Sequence, residues 1–302
     1  MSYGTTRGRE ERNAPKGELL RQGDMRDYLA LLWLLETSHW TYQFRGCENL
    51  FELLAHEPSA LWLRKETIRA AMLSSLYRSP VATGRVLALR DLPDMQSTFD
   101  LLLPYAEACL AGQGARWMSF TNGPDWLLNG LATHGYRLQD RVIVYSKRDW
   151  QAGREGNRGV KVRQATPEDL APIIALDAEV FEPFWQLNPA IVQHAISNSA
   201  YLLVAGSEQN IMGYLLAERQ GDEAHIGRIG VALKYQRQGI GTRLMAEAFA
   251  LMRNDGLETA YLNTQEDNLP SRALYEGLGF QLTGESDVIW AKPLLAAPDR
   301  KY

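Results

Sequence analysis

Cysteine is nearly absent: the 302 residues include two, Cys47 and Cys109, far apart and in no Cys-x-x-Cys or Cys/His ligand spacing. That excludes a disulfide scaffold and a zinc module, so no metal is expected and the thiols read as reduced, in a cytoplasmic protein. Long apolar runs are missing as well. The longest, Tyr28 to Leu35, has eight residues, against the roughly 20 that cross a bilayer, so no membrane partner is expected. Nor is there a surplus of positive charge. With 32 Lys and Arg against 36 Asp and Glu, the net charge is -4, and no footprint for nucleic acid is visible. The start of the chain mixes Arg and Glu without the apolar stretch of a targeting signal; residues 1–17 are expected to form a mobile tail. What is there, 45% hydrophobic and 23% charged residues, is the composition of a soluble globular chain long enough for two domains.

The residue pattern of the first half reads strand (18–22), helix (25–37), helix (49–56) and strands near 60–64, 69–76 and 84–89. A helix over 97–110, interrupted by Pro104, follows, then a strand (116–121), a helix (126–133) and strands from Tyr136. Residues 150–159, rich in Gly and Arg and without periodicity, read as a linker. Beyond it the order repeats. Arg21-Gln22 answers to Arg163-Gln164 and Ser59-Ala60 to Ser199-Ala200. A single ungapped offset of 144 then aligns Thr98 with Thr242, Gly112 with Gly256, Gly135 with Gly279 and Tyr136 with Phe280. Two tandem copies are expected, 18–149 and 160–302.

The second copy carries a stretch with chemical content. An apolar strand ending in Ile229-Gly230-Val231 runs into Gln236-Arg237-Gln238-Gly239-Ile240-Gly241, and a helix pattern starts at Thr242 and Arg243. Glycines let the backbone approach a ligand, successive N–H groups converge, and the helix dipole favours negative charge, so the natural guest is a phosphate. Further on stands Asn268-Leu-Pro-Ser271-Arg-Ala-Leu-Tyr275-Glu-Gly-Leu-Gly279-Phe280. Asn268 precedes a helix and fits an N-cap. Tyr275, two turns later, shares its face.

In these two linked motifs, over about Val160 to Leu294, the sequence resembles the GNAT superfamily of acyl-CoA-dependent N-acetyltransferases. The resemblance implies an α+β (mixed α/β) fold of two tandem GNAT-like domains. Each would be a mixed, mostly antiparallel sheet with helices on both faces, splayed between its fourth and fifth strands. It implies acetyl-CoA as co-substrate, with Ile229, Gly230 and Val231 along the pantetheine and a bulge at Gly230 opening the slot. Gln236, Arg237, Gln238, Gly239, Ile240, Gly241, Thr242 and Arg243 would surround the pyrophosphate, and Asn268, Ser271 and Tyr275 complete the cofactor side. Tyr275 would protonate the departing thiolate; the alternative is a core tyrosine. For the general base the family offers a glutamate at the position of His225 in one branch and at that of Asn263 in another. An imidazole can serve near neutral pH, so His225 is a candidate, with Glu182 the second; a strand histidine and a helix-end charge are the alternatives. Trp185, Tyr214 and Trp290 fall on segments bordering the acceptor.

The same register places Met95 and Ser97 opposite Gly239 and Gly241, Leu92-Pro93-Asp94 opposite the loop's start, Pro124 opposite Asn268 and Leu131 opposite Tyr275. The first copy is therefore expected to be inactive. The activity expected is transfer from acetyl-CoA to a small-molecule primary amine. A protein α-amine or lysine, or a non-catalytic acyl-CoA-binding regulatory module, are the alternatives, in a monomer or homodimer.

Overall fold

The structure, a computed structural model, describes residues 18–44, 49–76, 80–90, 95–151, 153–198, 201–207 and 210–294. The expected tail, Cys47, Leu92-Pro93-Asp94 and the Ser199-Ala200 pair lie outside the described residues. The chain forms two compact units, the first from residues up to Gln139 together with those from Ile289 onward, the second from Asp140–Val288.

In the first unit β1 (Glu18–Arg21), α1 (Tyr28–Thr37), β2 (Trp40–Gln43), α2 (Leu50–His56), β3 (Ser59–Arg64), β4 (Thr67–Ser75) and β5 (Val81–Leu89) follow in order. Then come α3 (Met95–Gly112), β6 (Trp117–Thr121), α4 (Asp125–Thr133) and the start of β7 (Arg137–Lys147). Strands β1, β3, β4, β5 and β6 lie side by side. Alternation along β5 sends Val86 and Ala88 to a core with Leu31, Leu34 and Leu54 of the first two helices, and Leu87 and Leu89 to a core with Phe99, Leu103 and Leu127. Helices thus cover both faces, as period-two burial requires.

β5 and β6 run parallel only over Val81–Thr83 and Trp117–Ser119. Past that point the edge of β5 is taken by β2, a strand absent from the sequence-based reading, with Tyr42 opposite Leu87 and Gln43 opposite Val86. Tyr42 Oη donates to the carbonyl of Thr121 (2.8 Å) and accepts from its N–H (3.2 Å), tying β2 to β6 as well. The Phe120 ring fills the space beside Gly84, where a Cβ would stand 2.2 Å from it. The opening between the two strands is closed by the unit's own residues.

The second unit contains Asp140–Lys147 of β7, then β8 (Val162–Gln164), α5 (Leu170–Val180), α6 (Pro189–Ser197), β9 (Tyr201–Ser207) and β10 (Asn210–Gln220). β11 (Glu223–Val231), α7 (Ile240–Asn254), β12 (Thr259–Gln265), α8 (Leu269–Gly277) and β13 (Gln281–Pro293) complete it. The sheet order is β8-β9-β10-β11-β12-β7, with the first part of β13 beyond. α7 is strongly amphipathic: Leu244, Met245, Ala248, Phe249 and Met252 are buried against Leu215, Ala224 and Leu262, the spacing of one helix face.

The repeat extends to matched contacts. In the first unit Arg21 grips Asp27 through two bonds (2.7 and 2.6 Å), and Asp27 caps the following turn through Asp24 N–H (2.9 Å). In the second, Arg163 grips Asp169 (2.6 and 2.9 Å), which accepts from Thr166 N–H (2.8 Å).

The units differ from the contiguous division into 18–149 and 160–302. β7 leaves the first unit after Gln139 and pairs with β12, Val142 opposite Gln265 through Lys147 opposite Ala260. β13 does the reverse. Its end pairs with β6, Ile289 opposite Thr121 through Pro293 opposite Trp117. The exchanged ends are equivalent: the Lys147 ammonium stands against Gly279, whose φ is +85°, and the Lys292 chain against Gly135, whose φ is +87°. A break in composition marks where the chain is irregular, and says nothing about which sheet edge a strand joins.

Candidate active site

β11 pairs with β12 only from Glu223–Ile226 opposite Thr259–Leu262. The two strands continue to Val231 and Gln265 without pairing, so a V-shaped opening exposes one edge of Gly227–Val231. The bulge lies at Gly227, since Leu216 faces Arg228 and Ala217 faces Ile226. Gly230, expected to carry it, is a glycine for a different reason: a Cβ there would meet the Tyr214 ring at 2.7 Å.

The loop beyond β11 is built from left-handed residues, Arg237 at φ +61° and Gly239 at φ +77°. Gln236 Nε2 donates to Val231 O (3.1 Å) and Gln238 Nε2 to Lys234 O (3.1 Å), closing the turn. Among the described residues nothing accepts the N–H groups of Gly239, Ile240, Gly241 or Thr242. Unpaired donors at a helix N-terminus are what an anion requires. Gly241 lies at the seam of the site, its Cβ position 3.3 Å from Leu274 on α8 and within 3.9 Å of Ile229 and Val231. These features fit a diphosphate and a strand-like thioester arm. Arg243 departs from expectation: its guanidinium is held by Glu247, one turn further into the helix.

Asn268 caps α8, its Oδ1 accepting from Ser271 N–H (3.2 Å). Tyr275 is 6% exposed, its ring between Tyr145 and Phe280, each 6.1 Å away. Burial pushes its hydroxyl up to about 12, opposed by a hydrogen bond with Ser271 and by the charge of Arg228. His225 Nε2 lies 3.2 Å from Asn263 Oδ1, so the two positions that carry the family's alternative glutamates are joined to each other. Glu182 stands exposed at the start of the Pro183–Trp185 turn. Among the described residues no contact links it to His225.

Of the aromatics, Trp185 donates its indole N–H to Asp140 (2.9 Å). Burial raises the Asp140 carboxyl, the indole bond opposes this, and the charges of Asp267 and Glu182 raise it further. Tyr214 is wholly buried and bonded to Asp177, and Trp290, partly buried, packs against the core of the first unit.

Four residues escaped the sequence reading. Asp177, 1% exposed, accepts from Leu187 N–H (2.7 Å) and lies 3.2 Å from Arg228 Nε. Arg228 also bonds Trp185 O and stacks over Phe181 at 4.0 Å, so a buried ion pair pins the 181–187 loop over the opening. Asp140 and Tyr145 come from β7; Tyr145 Oη donates to Glu276 (2.7 Å) and burial raises it. The first copy's Gly84 occupies the register of Arg228, which was a visible clue.

The splayed sheet, the glycine turn and the capped helix α8 lie in one continuous stretch of the second unit. Residues 170–280 match the acetyltransferase (GNAT) family. The chain is 29% identical over 130 residues to the 5-NmdU N-acetyltransferase of Pseudomonas phage PaMx11, covering 42% of this chain and 91% of the relative. It is 29% identical over 130 residues to the N-alpha-acetyltransferase RimI of Mycobacterium tuberculosis, covering 41% and 80%. Its fold is similar to that of a tandem GNAT protein from the clavulanic acid biosynthesis pathway, with a TM-score of 0.54 at 15% identity over 92% of this chain and 99% of that one. GNAT enzymes use acetyl-CoA as co-substrate. No described helix is long and apolar enough to cross a membrane.

Proposed function

We propose that the second unit transfers an acetyl group from acetyl-CoA to a primary amine of a small molecule. The observation carrying this is the open edge of Gly227–Val231 leading directly into the unpaired N–H groups of Gly239–Thr242. Bound there, acetyl-CoA supplies an activated thioester. Ile229–Val231 align its arm, the loop amides hold the diphosphate, and Asn268 has its Nδ2 left over once Oδ1 caps the helix.

With Asn263 Oδ1 as acceptor, His225 carries its proton on Nε2 and presents Nδ1 as the base for the incoming amine. Glu182 serves with Asp140 and Asp267 to draw a cation to the mouth rather than as the base. The amine nitrogen forms its bond to the acyl carbon as the carbon–sulfur bond breaks; His225 takes the amine proton and Tyr275 Oη gives one to sulfur. Trp185, fixed by Asp140, lines the acceptor side.

The first unit is inactive in this reading. β2 and Phe120 lie where a thioester arm would have to pair, Pro124 caps α4 without a side-chain bond, and Leu131 replaces the tyrosine in a fully buried place. Calorimetry with acetyl-CoA tests this: one site per chain is expected, lost when Gly241→Phe drives a ring into Leu274. Two sites would overturn the assignment of an inactive first unit, and none the assignment of a cofactor site.

A protein α-amine is the second reading, favoured by the likeness to RimI; the absence of a carboxylate at Asn263 argues against the base of that branch. Thiol release measured over small amines and over peptides separates the two.

A further inference from the structure

The segment between β7 and β8 is irregular, yet it is packed against the phosphate-binding turn. Asn157 donates its backbone N–H to Gly239 O (3.1 Å) and its side-chain Nδ2 to Gln238 O (3.1 Å). Its Oδ1 accepts from Gly159 N–H (3.1 Å), which holds the side chain in place. Gly156, in the left-handed region at φ +70°, lies so close to the turn that a Cβ would stand 2.4 Å from Arg243 N and 2.5 Å from Gly239 O.

A peptide group is planar and trans, so its N–H points opposite to its carbonyl. Holding the carbonyls of Gln238 and Gly239 from one side therefore aims the N–H groups of Gly239 and Ile240 to the other. Those two donors are among the four without an internal acceptor. The Gly239 carbonyl also accepts from Arg243 N–H (3.0 Å), the first bond of α7, so helix and Asn157 share the fixing of that plane. The Gln238 carbonyl lies outside the helical ladder, and among the described residues its fixing comes from the Asn157 side chain.

We infer that Asn157, seated by Gly156, is a positioning residue for the cofactor's diphosphate: it sets the orientation of the loop amides without touching the ligand. This rests on the reading of the turn as an acyl-CoA site. The inference assigns a binding role to a stretch that composition marks as a mere connector.

The test compares two ligands that share the thioester arm and differ in the diphosphate, acetyl-CoA and S-acetylpantetheine, on the full chain. A net hydrogen bond is worth about 1 kcal/mol, so Asn157→Ala should raise the Kd for acetyl-CoA about three- to tenfold. The Kd for S-acetylpantetheine should move less than about twofold, since it presents no phosphate to misaimed donors. Gly156→Ala, which forces the segment off the turn, should give the same selective loss. Asn157→Ala removes a half-buried side chain and decides the matter if Gly156→Ala does not fold. Unchanged acetyl-CoA affinity in Asn157→Ala, or equal weakening of both ligands, overturns the inference while leaving the cofactor site standing. Failure of the unaltered protein to bind acetyl-CoA overturns both, and is a distinct result.

Discussion

Replacing Tyr275 by Phe removes one oxygen from a ring enclosed by Tyr145 and Phe280. The ring keeps its packing, and the hydrogen bond of its hydroxyl with Ser271, one helical turn back, is lost. A single hydrogen bond of this kind contributes about 1 kcal/mol, so the thermal midpoint should fall by no more than a few degrees. Acetyl-CoA affinity should stay within about twofold. Transfer is another matter. A positioned proton donor contributes roughly 10²–10⁴ in rate, and Phe has no proton to give, so kcat should fall by at least about 100-fold with an amine the unaltered enzyme accepts. Because burial lifts the hydroxyl to about 12, it remains protonated across the usual assay range. The unaltered enzyme should therefore show no alkaline loss of rate from this group below about pH 10. Thiol release followed colorimetrically from pH 6 to 10 gives both quantities. Wild-type turnover in the variant, or an alkaline limb near pH 8 that disappears with the substitution, would refute the general-acid role.

Asn263→Ala should free the His225 ring and lower kcat several-fold, and His225→Ala should lower it further, about 10²-fold or more; equal rates for all three proteins in an amine assay would eliminate His225 as base. Asp169→Asn should cost about 2 kcal/mol in chemical denaturation at pH 7 by weakening the bidentate grip of Arg163. The Arg163 bond holds Asp169 below its usual range. Its contribution is therefore present above the unfolded value near ~3.9 and fades as pH falls through the lower folded value, so the gap between the two proteins should close below about pH 4. A gap that persists undiminished at pH 2 would contradict that. Gly84→Ala drives a methyl into Phe120 at 2.2 Å and should destabilise the first unit by about 1–3 kcal/mol with acetyl-CoA binding retained; stabilisation would show that the space is open.

The repeat was legible because its markers are local. Arg21 and Arg163 each reach an aspartate six residues on, and Gly135 and Gly279 each take a positive φ after a helix, features that need only short-range geometry. The glycine turn at the start of α7 and the Asn268 cap were legible for the same reason: N–H groups at a helix start are set by a few consecutive residues. Arg228 and Asp177 were not, since they stand 51 residues apart and meet only when α5 packs on β11.

Sequence alone determined where most strands, turns and helix starts lie, β2 excepted, and with them a glycine turn at a helix start followed by a capped helix bearing a tyrosine. The tertiary structure alone decided which sheet each last strand joins, so that Asp140 and Tyr145 serve the second unit and Ile289–Pro293 the first. It also decided that β2 closes one splay while the other stays open. Strand edges offer the same N–H and C=O groups whatever the side chains, and their pairing is settled by the packing of whole faces rather than by any local pattern.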